Sequence, residues 1–212
     1  DQVDAPAGPQ LSLREAIRDA APGSRIEFLS TYTITLSTNF ASRIALNGRN
    51  LAIDGYRKDY DLFEGVVISG GDELRHFRLF NNAHLYLGHL RLIQGFGPAT
   101  DLSGSTLVEQ GSSLIAFETE WNENRTELDG GALAVRNSNT VVRLHGGALR
   151  MNRASGQGGA VALRNGATLH MEKVRMIANR ADGGGGGLFA QASALDVRSS
   201  EFALNETVAH GG

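Results

Sequence analysis

Four short phrases in this chain share one internal spacing. "WNENRTELDGG", "LRMNRASGQGG", "MIANRADGGGG" and "FALNETVAHGG" each carry a large apolar residue three places before an Asn. In each, a glycine lies seven residues after that Asn. The asparagines are Asn124, Asn152, Asn179 and Asn205, and they step by 28, 27 and 26 residues. The glycines of the repeat are Gly130 and Gly131, Gly158 and Gly159, Gly186, and Gly212. A period in this range is the signature of a stacked or radial repeat architecture, and it constrains the fold before any local pattern is weighed.

Counting back from each Asn shows what a repeat contains. Ten and eight places upstream lie Leu114 and Ala116, Val142 and Leu144, Leu169 and Met171, then Leu195 and Val197. Three places upstream lie Trp121, Leu149, Met176 and Phe202. About 17 residues upstream lies a further alternating pair, such as Leu133 with Val135 or Val161 with Leu163. One earlier copy lacks its Asn: Leu85, Leu87, Leu90 and Leu92 lead to Gly95. Alternation with period two denotes strands buried on one face. Three short strands in ~27 residues are too few for a propeller blade of ~40–45 residues. The leucine spacing is not that of leucine-rich repeats. The expected fold is an all-β, right-handed parallel β-helix with three short strands per coil, successive coils lying ~4.8 Å apart.

In such a coil the repeat Asn falls at a turn and points inward. There it bonds backbone groups of its own turn and of the neighbouring coil. Asn124, Asn152, Asn179 and Asn205 therefore read as an architectural ladder. The glycine pairs permit positive φ and close backbone approach. Asn124 and Asn205 also begin Asn-X-Thr sequons. A glycan on an inward Asn would contradict the ladder, so modification there is not expected.

The first quarter differs. "LSLREAIRDAAPG" contains a capping box, Ser12 with Glu15, and an apolar helical face of Leu13, Ala16, Ile17 and Ala20. A short amphipathic helix is expected to cover the first coil. Residues 1–48 then form the capping helix and first coil, and 49–212 the coils continuous with it, in one domain.

From this point the chain resembles known families. "LSLREAI", "PGSRIEF", "YTITL", "LAIDG" and "FRLFNNAHLYLGHLRLIQG" resemble the N-terminal module of bacterial surface proteins named for a CSLREA motif. "GGALAV", "GGAVAL" and "FALN" resemble the GGA and FxxN repeats of polymorphic outer membrane proteins, which are β-helical autotransporter adhesins. Leu11 stands where the first motif has Cys, and no membrane-barrel segment accompanies the repeats. The resemblance implies an extracellular or cell-surface setting and a non-catalytic, structural or adhesive role.

Composition narrows the chemistry. With no Cys, disulfides, thiolate metal sites and Cys nucleophiles are excluded. A net charge of −3 with both signs interspersed does not suit nucleic-acid binding. No apolar run is long enough for a membrane helix. No cofactor or metal site is expected, because no acidic cluster recurs on adjacent coils. "ADGGGGGLFA" lacks the Lys-Ser or Lys-Thr of a phosphate loop.

An alternative is a polysaccharide-active β-helix of the lyase or epimerase type, or a carbohydrate-binding module. In the third strand of each coil the outward positions are expected to stack, and one column reads His89, Glu118, Gly146, Lys173, Ser199. The next column reads Arg91, Glu120, Ala148, Arg175, Glu201. Lys173, Arg175 and Glu201 are the candidates for a catalytic role, with a cationic side chain as base. His84, His89 and His170 are expected on outward strand positions in different columns. The partners expected are a second copy stacked end to end or the continuation of a longer chain, and a polysaccharide or host-surface ligand.

Overall fold

The computed structural model describes residues 2–3, 11–37, 44–56, 65–99 and 104–208. Gly212 of the repeat lies outside the described residues. Four sheets run along one axis, and from His84 onward the chain adds strands to them in succession, turn after turn. The first sheet includes Asn50–Asp54, His84–Gly88, Ser113–Phe117, Val141–His145, Thr168–Glu172 and Ala194–Arg198. The second includes Leu90–Ile93, Glu120–Asn122, Ala148–Arg150, Arg175–Ile177 and Glu201–Ala203. The fourth includes Phe77–Phe80, Thr106–Val108, Leu133–Arg136, Val161–Arg164 and Leu188–Gln191. Every pairing within these three is parallel, apart from Gln2–Val3, which runs antiparallel to Thr33–Thr35 at the edge of the second sheet. The fold is a parallel β-solenoid.

The third sheet adds to the expected three strands per coil. It is built of two-residue strands, Phe96–Gly97, Arg125–Thr126, Arg153–Ala154, Arg180–Ala181 and Glu206–Thr207. Two residues are too short for alternation to register in a sequence. Here the inward position holds only Gly97, Thr126, Ala154, Ala181 and Thr207.

The apolar columns stack in the register that the repeat predicts. Leu85, Leu114, Val142, Leu169 and Leu195 are successive partners, as are Leu92, Trp121, Leu149, Met176 and Phe202. Apolar burial supplies roughly 1.5–3 kcal/mol for each large side chain removed from water. Trp121 is buried and donates its indole N–H to Thr106 Oγ1 at 3.2 Å. The helix spans Leu13–Asp19 with both halves of its capping box formed, and buries Leu13 and Ile17 in the solenoid's core. Arg49 ties down its C-terminal end by donating to the carbonyls of Arg18 and Ala20.

Two columns of left-handed residues turn the corners. His89, Glu118, Gly146, Lys173 and Ser199 join the first sheet to the second, with φ between 44° and 66°. Gln94, Glu123, Met151, Ala178 and Leu204 precede the ladder position, with φ between 50° and 57°. A left-handed non-glycine residue costs about 1–2 kcal/mol. Inter-coil hydrogen bonds offset this, as where Glu118 N donates to the His145 carbonyl at 2.9 Å. His89 and Lys173 therefore stand at corners, which corrects their expected place on strands. In the glycine pairs the first has positive φ and both lack room: Gly158, at φ +68°, would set a Cβ against the Val161 carbonyl, and a Cβ on Gly159 would run into the carbonyl of Gly186 and the backbone of Arg180.

The asparagines form a continuous ladder. Asn152 Oδ1 accepts from the backbone N and from Nδ2 of Asn124, at 3.1 and 3.0 Å. Its own Nδ2 donates to the Trp121 carbonyl and to Asn179 Oδ1, at 3.1 and 2.9 Å. Asn179 repeats the pattern onto Leu149 and Asn205. Asn124, Asn152 and Asn179 are buried, and Asn205 is half-buried. Both Nδ2 hydrogens of Asn124 are committed, to Leu92 O and Asn152 Oδ1, so its sequon offers no free amide.

The ladder ends at the coil that lacks its Asn. Gly95 N donates to Asn124 Oδ1 at 2.8 Å, and the buried ring of His76 fills the space beside Gly95. His76 Nε2 bonds the Ile93 carbonyl at 3.0 Å, while Nδ1 has no partner among the described residues. Burial lowers the His76 pKa from 6.5 to about 4.

Two outcomes are expected. Asn152→Ala strands three buried polar groups, and should lower stability in urea unfolding by at least about 3 kcal/mol. The half-buried Asn205 should cost less when changed to Ala, because water replaces part of its bonding. His76 is neutral in the folded chain but protonates readily in the unfolded one. Its contribution is complete above pH 6.5 and is lost as pH falls toward about 4. The loss amounts to about 3 kcal/mol over that window. His76→Gln should flatten this part of the stability profile relative to the parent chain.

Candidate functional site

Outward side chains of the first sheet form two columns, two residues apart on each strand. One column is Tyr86, Ile115, Arg143, His170 and Asp196. The other is Phe117, His145, Glu172 and Arg198. Between them runs a groove of about 530 Å³, parallel to the solenoid axis and perpendicular to the strands. Its floor is the sheet itself at Ala116, Leu144 and Met171, whose strands pair in parallel.

The groove changes character along its length. Its lower end is apolar, with Tyr86, Ile115 and Phe117 on the walls. Ile115 and Phe117 are 43% and 36% exposed, a rare placement for outward residues of an alternating strand. Tyr86 lies where burial, reinforced by the Asp54 carboxylate, raises its phenol pKa. The middle holds His145, His170 and Arg143. Arg143 is exposed and has no hydrogen-bond or ion-pair partner among the described residues. At the upper end the charges pair. Arg198 holds Asp196 from Nη2 at 3.0 Å, and His170 Nδ1 lies 3.5 Å from the same carboxylate. The hydrogen bond from Arg198 holds the Asp196 carboxyl below its usual pKa. His145 Nδ1 lies 3.4 Å from Glu172.

One wall is continued by an aromatic stack. Tyr56, His89, Phe117 and His145 follow one another with ring centroids 4.9, 5.4 and 5.3 Å apart. Phe117 and His145 are nearly parallel, at 5°. The stack is anchored at its foot by the buried carboxylate of Asp54. Asp54 accepts from His89 Nδ1 at 3.0 Å, from Tyr56 N at 2.8 Å, and from Arg25. Phe117 and His145 meet face to face, whereas Tyr56 is tilted by 54° to His89 and His89 meets Phe117 edge-on at 65°.

Lys173, Arg175 and Glu201 lie elsewhere. Arg175 and Glu201 are register partners on the second sheet, facing outward, and Lys173 stands at the corner that leads to that sheet. All three are exposed. His170 stands in one wall of the groove and His145 in the other, while His84 pairs with Ser113 Oγ at 2.6 Å, one column further out. Among the described residues no group of three or more His, Asp or Glu is arranged to hold a metal ion. No helix among them is long and apolar enough to cross a membrane. The sequence did carry a signal for the groove: "HLYLG" and "SLIAF" place Tyr86, Ile115 and Phe117 where alternation calls for polar residues.

Comparison with known proteins finds no matching family model, no matching curated protein and no matching solved structure.

The stacked wall is expected to be energetically coupled. A double-mutant cycle of Phe117→Ala and His145→Ala, read by urea unfolding, should give a coupling energy of about 0.5–1.5 kcal/mol.

Proposed function

We propose that this chain is a non-catalytic, extracellular or cell-surface module, structural or adhesive in role, that forms one section of an extended β-solenoid. The observation that carries the reading is an uncovered inner row on the last described coil. Leu195, Val197 and Phe202 occupy the inward columns, yet are 42%, 38% and 47% exposed. Their column partners one coil earlier, Leu169, Met171 and Met176, are buried. Side chains whose register is that of a core fit beneath another layer of the same kind, supplied by further coils or by another copy. The edge strands there also offer backbone groups in the spacing that a further coil would pair.

Support for the setting comes from the "GGALAV", "GGAVAL" and "FALN" phrases, which resemble repeats of surface adhesins. A rod stabilised by an internal amide ladder and by stacked apolar columns holds its length without disulfides.

Light scattering and electron microscopy across concentration test the assembly half of this reading. The purified chain should associate as concentration rises, and Phe202→Glu should return it to monomers with unchanged circular dichroism. Association that survives Phe202→Glu removes the support of the exposed row. The non-catalytic half is tested by incubation with uronate polysaccharides. Unsaturated sugar ends that disappear in Lys173→Ala or Arg175→Ala would overturn it.

A further inference from the structure

We propose that the axial groove on the first sheet binds a single carboxylate-bearing polysaccharide chain, anchored at Arg143. This rests on the adhesive half of the reading above and gives the ligand its chemical class and its place.

The direction of the groove decides the kind of polymer. Its two walls are side-chain columns about 6.6 Å apart along each strand, and each wall repeats at the coil spacing of ~4.8 Å. A pyranose chain laid along the axis advances by about one coil per sugar, so that successive sugars meet equivalent positions. An extended peptide does not share this repeat. It would also cross the strands of the floor at right angles, where the backbone groups are already spent on inter-coil hydrogen bonds. Strand addition, the usual way a sheet takes a peptide, is closed on this face.

The walls supply what a sugar presents. A pyranose has apolar C–H surface and a rim of hydroxyls. Tyr86, Ile115 and Phe117 offer apolar contact at one end of the groove. Glu172, Asp196 and Arg198 offer fixed acceptors and donors at the other. Arg198 pairs with Asp196 within the wall, and His145 Nδ1 lies 3.4 Å from Glu172.

Arg143 decides the acidic class. It is the outward residue at the centre of the groove, flanked in register by Ile115 on one side and His170 on the other. Neither neighbour is a carboxylate, and no ion pair among the described residues involves Arg143. An exposed guanidinium left unpaired among otherwise matched charges provides a planar, bidentate site for a carboxylate. The two imidazoles beside it donate or accept to flanking hydroxyls. From Tyr86 to Arg198 the groove spans five coils, about 20 Å at the strand spacing, enough for about four sugars.

The test is calorimetric titration of the full chain with galacturonate oligomers from one to six residues, and with the methyl-esterified hexamer. Affinity should rise with length up to about four residues and then level off. The ester should bind at least tenfold more weakly than the acid. Arg143→Ala should weaken the hexamer at least tenfold, Arg143→Lys should restore part of the loss, and Phe117→Ala should weaken it without altering the preference for acid over ester. Arg175→Ala, on the neighbouring face, should bind as the parent does. Arg143 is exposed, so its variants should retain the parent's circular dichroism. The proposal is overturned by no binding, by equal binding in Arg143→Ala, by equal binding of the ester, or by polyglutamate binding as tightly as the hexamer. Appearance of unsaturated sugar ends would sink the non-catalytic reading, whereas the binding data would still decide the groove.

Discussion

A parallel solenoid faces one physical difficulty that its apolar columns cannot solve. At each inner corner the chain must turn, and the corner leaves backbone N–H and C=O groups inside, out of reach of water. The Asn ladder solves this. Each side-chain amide has two donors and one acceptor carbonyl, and all are used: one bond back to a strand carbonyl of the previous coil, one forward to the next amide, and two accepted from the previous Asn. Because each rung bonds the next, the repeat propagates only if successive coils keep the same length between sheets and corner. The constancy of the seven-residue interval from Asn to glycine follows from this. The glycine must sit where the adjacent coil's backbone leaves no room for a Cβ.

The ladder also explains its own termination. An Asn at position 95 would place its side chain in the volume that His76 occupies. The ring takes over one bond, to Ile93 O, and the rest of the space, at the cost of an unpaired Nδ1. Toward the other end the rungs become wetter. Asn205 is half-buried, and the inward residues of its coil are open to solvent. The molecule is thus polar in its stability. The helix-covered end is closed by Leu13 and Ile17, and the last described coil exposes a face with the pattern of an interior.

Function is carried on surfaces that the interior leaves free. Once alternate residues are committed inward, the outward columns are unconstrained by packing, and their stacking at one coil per residue turns any recurring choice into a stripe. On the first sheet that choice yields an aromatic wall, a lone arginine and a set of matched ion pairs. On the second it yields Arg91, Glu120, Ala148, Arg175 and Glu201, where Arg91 and Glu120 already pair at 3.6 Å. Two stripes of similar composition therefore differ in kind: one is a relief with walls and a floor, and the other is a row of exposed charge.

By itself the sequence determined the period, the inward columns, the ladder asparagines, the capping helix and the parallel stacking. Each of these depends on a residue's relation to its own neighbours and to the copy one coil away, and both distances are written in the chain. Only the tertiary structure decided the rest. The two-residue third sheet was illegible because two residues carry no period. His89 and Lys173 went to corners because a left-handed φ at a non-glycine residue is imposed by inter-coil hydrogen bonds, not by local preference. His76 became the end of the ladder because a position 19 residues before Gly95 falls beside it once the coil closes. The groove emerged from side chains on five different coils. Tyr86, Ile115 and Phe117 announced it one by one as apolar residues in outward positions, but only closure of the solenoid set them along the walls of one slot with Arg143, His145 and Asp196.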